Sequence, residues 1–327
     1  MNQDSKKALS ALIDMLLGRR LPWRAYLLLM KLKMSYHRWN CRRLVLKTRP
    51  MATGKESRHF AVHIMTRHSD IYMTLWAVKS FLHHANKSYR IVLLTDDSLT
   101  EADQTMLAEH LPGVEFLFEK DGERMVEGPI RDYPLTRLFR LPPTRPCKVS
   151  IGAETVDYHF CPFSMKLLDG NYRDDTEKIM VLDSDVLFFS RPTEIVDWIE
   201  DRSEDKSIYM IEAYEPYFDA HYKVHFRLNQ NPPTGINTGL FCYHKKVLDL
   251  AALEGWIDAN RRTAFTLRTA EQHAYGFLAQ RLRHEPFPAT YTFNHREAHS
   301  IATHFGIKHL FYENLPEVYS ALTSPNR

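Results

Sequence analysis

Apolar and polar positions change rhythm near residue 50. Before it, Leu9, Leu12, Ile13, Leu16 and Leu17 recur at helical spacing and Gly18 provides a stop. A second helical segment is predicted over 23–39, where Tyr26, Leu27, Leu28, Leu29 and Met30 mix with Arg24, Lys31, Lys33 and Arg38. Beyond the Pro/Gly-containing break at 49–54, short apolar runs alternate with helical ones. Strands are predicted at 59–65, 90–94 and 114–118, and helices at 70–84 and from 100 to about 111. Thr100 and Asp103 resemble a capping box at the start of the latter. This β-α-β-α-β order predicts an α/β fold with a mainly parallel sheet flanked by helices. Ligands then belong beyond the carboxyl ends of the strands.

Residues 119–160 carry Pro129, Pro134, Pro142, Pro143 and Pro146 and are expected to be irregular, a candidate functional or mobile loop. Regular pattern returns with a short helix at 163–168 and an apolar strand at 178–182. Asp183-Ser184-Asp185 follows, then a further apolar run at 186–189. The expected organisation is a basic helical extension over 1–50 ahead of one α/β domain over 58–315.

Composition is that of a globular protein, 44% hydrophobic and 25% charged. No uninterrupted apolar run approaches the ~20 residues of a membrane span, and the opening segment is polar, so a cytoplasmic protein is expected. Cys41, Cys147, Cys161 and Cys242 are scattered without a CxxC pair, which argues against zinc or redox chemistry. Charge is uneven. The first 50 residues hold twelve Lys or Arg against Asp4 and Asp14, a net +10, and the rest carries −7. Two readings stay open: basic amphipathic helices on the inner, anionic face of a membrane, or helices packed on the body with solvated basic faces. Nucleic-acid binding is disfavoured, because no recognised binding module accompanies the charge.

The chemistry centres on Ile179-Met180-Val181-Leu182-Asp183-Ser184-Asp185. In extended chain, residues two apart point the same way, so Asp183 and Asp185 can converge on one cation. Hard oxygen ligands with open positions suit Mn²⁺ or Mg²⁺, which take substrate phosphates as further ligands. The bland alternative is an acidic turn that merely caps a strand.

Several segments together resemble the retaining GT-A enzymes of glycosyltransferase family 8, the glycogenin-like and bacterial lipopolysaccharide galactosyl/glucosyltransferase group. They are His63-Ile64-Met65-Thr66, Ala77-Val78-Lys79-Ser80-Phe81-Leu82, Ile91-Val92-Leu93-Leu94-Thr95-Asp96-Asp97, Phe163-Ser164-Met165-Lys166-Leu167-Leu168, the DxD strand, Gly235-Ile236-Asn237-Thr238-Gly239-Leu240-Phe241, Glu271-Gln272 and Thr303-His304-Phe305-Gly306-Ile307-Lys308. The resemblance runs from about residue 59 to 308. It implies a GT-A type, Rossmann-like sheet, with Asp183, Asp185 and His304 as metal ligands and the Gly306 amide and Lys308 ammonium on a diphosphate. Asn237 and Gln272 would contact the donor sugar near its anomeric carbon, and Glu271 would orient its hydroxyls. Thr66, Asp70, Lys166 and Ser184 join the donor-binding set. Three departures stand out. Lys166 replaces the usual Arg, the closing element is one residue shorter between His304 and Gly306, and 66–70 stands in place of an Asp-rich, uracil-contacting turn.

The function so implied is transfer of a hexose from a nucleotide sugar, uridine diphosphate being the expected carrier, to a glycan, lipid-linked or other hydroxyl acceptor. Two rivals use the same residues. One is a HAD-type phosphatase with Asp183 as nucleophile. The other is a non-catalytic, membrane-associated nucleotide-sugar binder. Since 304–308 lie far along the chain from Asp183, Lys308 is expected to lack a partner and 303–308 to be mobile until a diphosphate binds.

Overall fold

The computed structural model describes residues 23–54, 59–158, 161–173, 176–202, 205–212, 214–218, 224–228 and 235–324. The helix expected over 9–17 lies outside them. The described chain opens with α1 (Trp23–Val45), followed by β1 (Phe60–Thr66), α2 (Ile71–Ala85), β2 (Arg90–Thr95), α3 (Glu101–His110) and β3 (Glu115–Phe118). Next come α4 (Glu119–Glu127), α5 (Pro134–Arg140), the hairpin β4 (Cys147–Ile151)/β5 (Glu154–Tyr158), α6 (Ser164–Leu167) and α7 (Asp169–Tyr172). The second half runs β6 (Lys178–Leu182), β7 (Val186–Phe188), α8 (Thr193–Glu200), β8 (Ser207–Ile211), the pair β9 (Tyr214–Phe218)/β10 (Val224–Leu228) and β11 (Ile236–His244). It closes with α9 (Leu250–Ala259), α10 (Arg261–Thr266), α11 (Ala270–Ala279), β12 (His284–Pro286), β13 (Tyr291–Phe293), β14 (Ala302–His304) and α12 (Lys308–Thr323).

The central sheet has seven strands in the order β12-β8-β11-β6-β1-β2-β3. All run the same way except β11, which is antiparallel to both its neighbours. The expected α/β class is therefore what forms. Strand β6 shows why its sequence is apolar from Ile179 to Leu182: both faces are covered. Met180 and Leu182 enter the core built with α2 and α12, whereas Ile179 and Val181 enter the one built with α9 and α11. Continuing that alternation carries Asp183 toward the second face, where α6 lies.

The expected capping box is present, Thr100 and Asp103 each bonding the other's backbone N–H. Residues 119–160 correct an expectation. Instead of irregular chain they supply α4, α5 and the β4/β5 hairpin, with 159–160 outside the described residues. Long-range contacts hold them in place. Both Glu254 carboxylate oxygens accept at 2.8 Å from Leu135 N and Thr136 N, satisfying orphan donors at the start of α5 from 118 or 119 residues away. Arg140, at its end, forms a fully buried two-bond pair with Asp169 at 2.7 and 2.6 Å.

Helix α1 packs on α2 and α12. His37 stacks on Tyr312 at 5.7 Å, and Trp76 Nε1 donates to Cys41 O at 3.2 Å. All four cysteines are free and buried. No helix among the described residues is long and apolar enough to cross a membrane.

Candidate active site

Asp183 and Asp185 follow the carboxyl end of β6 in a tight turn, closed by Val186 N donating to Asp183 O at 3.2 Å. The turn leads straight into β7, which pairs antiparallel with β14 so that Val186 stands opposite His304. Phe305 N donates to Asp185 O at 2.9 Å, which locks the register. Strand pairing thus closes the 119-residue gap between Asp185 and His304. His304 Nε2 lies 3.2 Å from Asp185 Oδ1 and 3.8 Å from Asp183 Oδ2. One donor atom from each residue falls within 4.8 Å of the other two. Two carboxylates and one imidazole form a mixed O/N set of the kind Mn²⁺ accepts.

The imidazole is held from behind. Asn237 Oδ1 accepts from His304 Nδ1 at 2.9 Å and from Gly239 N at 2.8 Å. An Nδ1–H bonded to that oxygen leaves the Nε2 lone pair facing the carboxylates, the tautomer a ligating histidine needs. Gly239 is required by space: a Cβ there would fall 2.3 Å from His304 Nδ1. Asn237 Nδ2 donates in turn to Glu212 Oε2 at 2.9 Å, and Gln272 Nε2 donates to the same oxygen at 2.9 Å. Burial alone would lower the His304 pKa, but Asp185, with Asp183 and Glu212, outweighs it and raises the value above that of an ordinary histidine. The carboxylates thus favour a proton on His304 Nε2 for as long as no cation offsets their charge.

On the α6 face, the buried Lys166 ammonium donates to Asp183 Oδ1 and sits 4.8 Å from the Phe163 ring centroid. Desolvation works against that charge, yet Asp183 and Glu271 hold the Lys166 pKa up. Glu271 is buried on α11, where Thr238 Oγ1 donates to its Oε1 at 2.9 Å and its Oε2 accepts no hydrogen bond. Burial raises its pKa, against the opposing pull of Lys166.

A cavity of about 240 Å³ opens in front of this turn. Its lining includes Thr66, Asp70, Asp183, Ser184, Asp185 and Lys308, joined by Arg67, Asp96 and Arg268. The ends of β1, β2 and β6 thus contribute to one cleft, as a parallel sheet dictates. Lys166, Asn237, Glu271, Gln272, His304 and Gly306 stand outside that lining, behind or beside the acid turn.

One expectation about the closing segment needs correction. Lys308 has a partner: its Nζ donates to Asp70 Oδ1 at 2.8 Å, and Arg67 Nε donates to Asp70 Oδ2 at 2.8 Å. Burial would raise the Asp70 pKa, but the two cations pull it below its ordinary value. Thr303 and His304 are buried in β14, and Ile307 N donates to Asn294 Oδ1 at 3.1 Å. Sequence spacing hid these contacts because they reach across 238 and 13 residues. Glu212 was not singled out from the sequence either. Its one signal is position, just past the carboxyl end of β8 on the same sheet edge as Asp183.

No family model and no curated protein matches the chain. Among solved structures it is similar to mouse xyloside xylosyltransferase 1, at 10% identity and a TM-score of 0.49 over 79% of this chain and 99% of that one. It is also similar to the galactosyltransferase LgtC in complex with donor and acceptor sugar analogues, at 14% identity and a TM-score of 0.48 over 82% and 98%. A third similarity is to 4-diphosphocytidyl-2C-methyl-D-erythritol synthase from Anaerococcus prevotii, at 12% identity and a TM-score of 0.41 over 79% and 97%.

Proposed function

We propose that this chain is a metal-dependent glycosyltransferase that moves a hexose from a uridine diphosphate sugar to a hydroxyl acceptor with retention of configuration. The observation that carries the reading is the convergence of Asp183, Asp185 and His304 on one point, beside a cleft that also presents Lys308. Those three residues would hold Mn²⁺ or Mg²⁺, and a bound cation supplies charge neutralisation for the leaving diphosphate. Lys308 is placed to exchange Asp70 for a phosphate oxygen, its ammonium being a compact point charge suited to that task. Asn237 keeps the His304 Nε2 lone pair directed at the acid turn. Glu271 would offer its buried carboxyl, beside Lys166 and Thr238, as an acceptor for sugar hydroxyls. Gln272, steered by Glu212, would lie near the anomeric carbon. A glycan or lipid-linked acceptor and a site on the inner face of a membrane complete the proposal.

The test is release of uridine diphosphate from a panel of hexose donors with Mn²⁺, using wild type and Asp185→Ala. Release that disappears with EDTA and in Asp185→Ala, with the variant still folded by circular dichroism, supports the reading. Undiminished release in either case overturns it. A phosphatase using Asp183 as nucleophile leaves the His304–Asn237–Glu212 chain without a task, and it would instead liberate phosphate from an aryl phosphate. A binder without activity would show a donor-dependent rise in Tm and no release.

A further inference from the structure

Of the six large hydrophobic residues exposed among the described residues, four lie on one helix: Leu27, Leu28, Leu32 and Trp39 of α1. Leu28 is 59% exposed, Leu32 52% and Trp39 41%. Together with exposed Ser35 they follow the i, i+4, i+7, i+11 spacing of a single helical stripe. The opposite face is already used, since His37, Cys41, Leu44 and Val45 are buried against the body. Exposed Lys31, Arg38 and Arg42 flank the stripe, and Arg43 covers the Trp39 ring at 5.1 Å from its centroid. Residues 23–50 hold eight Lys or Arg and no acid.

We infer that the outward face of α1 docks on the surface of an anionic lipid bilayer, with Leu28, Leu32 and Trp39 entering the headgroup boundary and Lys31, Arg38 and Arg42 meeting lipid phosphates. Charge selects this occupant. A second copy of the chain would set Lys31, Arg38 and Arg42 against the same three cations, and a nucleic acid would leave the leucines in water, whereas an anionic bilayer satisfies both. The helix lies along the membrane and does not span it. It also ties the surface to the cleft. Lys33 Nζ meets Glu313 Oε1 at 3.5 Å on α12, whose first residue is the cleft-lining Lys308. Five helical residues, about 7.5 Å of rise, separate that contact from Lys308. Resting on the transferase reading, docking through α1 favours an acceptor hydroxyl carried at the headgroup layer.

The experiment is co-sedimentation of the full chain with phosphatidylcholine vesicles, with and without phosphatidylglycerol, at low and high salt. Binding is expected only with the anionic lipid, falling as salt rises. Lys31→Ala/Arg38→Ala/Arg42→Ala should lower the partition coefficient by about a hundredfold, at roughly fivefold per surface cation. Leu28→Glu/Leu32→Glu should lower it by at least about tenfold at unchanged Tm. Brominated lipid should quench wild-type fluorescence more strongly than that of Trp39→Phe, a readout that does not depend on the other variants folding. Equal binding by wild type and both multiple variants, or binding indifferent to lipid charge, overturns the inference. So does self-association that the same variants abolish, which would make a second copy the occupant. Uridine diphosphate release toward a soluble acceptor should be unchanged in these variants, so a failure of docking and a failure of the transferase reading are told apart.

Discussion

Proton and cation compete for the same nitrogen of His304, and the competition can be measured. Nε2 sits 3.2 Å from Asp185 Oδ1 and 3.8 Å from Asp183 Oδ2, and the carboxylates raise the imidazole pKa despite its burial. A cation bound there must displace that proton. Below the raised pKa, each pH unit should therefore change the apparent Mn²⁺ affinity about tenfold, or about 1.4 kcal/mol. The stability of the metal-free protein should move the other way. A group whose folded pKa is raised stabilises fully below its unfolded value, about 6.5, and loses that contribution as pH climbs through the folded one. Calorimetric titration with Mn²⁺ across the neutral range, in buffers of different ionisation enthalpy, should show close to one proton released per cation at the acid end and fewer at the alkaline end. Thermal melts in EDTA should show Tm falling over the window in which Mn²⁺ affinity rises. Affinity that ignores pH from 6 to 8, with no proton released, would refute His304 as a ligand and with it the directional role of Asn237.

Further outcomes follow from the same contacts. Asn237→Leu removes the acceptor for Nδ1 and should weaken Mn²⁺ binding by about 10–100-fold in the same titration, whereas Asn237→Asp retains it in part. Lys308→Ala should reduce transfer by about 2–4 kcal/mol of transition-state stabilisation while sparing Mn²⁺ affinity, measured as kcat/KM beside a metal titration. Asp169→Ala takes both short hydrogen bonds from a fully buried Arg140, leaving Glu123 at 3.6 Å, and should cost roughly 3–5 kcal/mol in urea unfolding.

How much of this could be read in the sequence depended on whether the physics was local. Strand β6 announced itself because it is apolar on both faces, and the acids after it fall where a parallel sheet gathers ligands. The Thr100 box was legible because its two partners lie three residues apart. The helices within 119–160 were not, since the groups that hold them are Glu254 and Asp169, far away in sequence. The pairing of Lys308 with Asp70 escaped for the same reason. Lys166 was read as a donor contact in its own right, whereas its ammonium is buried and reaches the site through Asp183.

The seat of His304 has a consequence for insertions and deletions. Its side chain faces the acid turn only because β14 pairs with β7 in one register, while the preceding Thr303 points the other way to meet Thr292 Oγ1 at 2.8 Å. A strand alternates with period two, so adding or removing a single residue between 302 and 304 would exchange the two and turn a threonine toward the carboxylates. A two-residue change restores the facing and shifts the imidazole along the strand by about 6.6 Å. A change of length within β14, or between it and the Phe305 N–Asp185 O bond, should therefore abolish metal binding. A library of insertions scanned through 295–310 should show its metal-dead clones concentrated over 302–305.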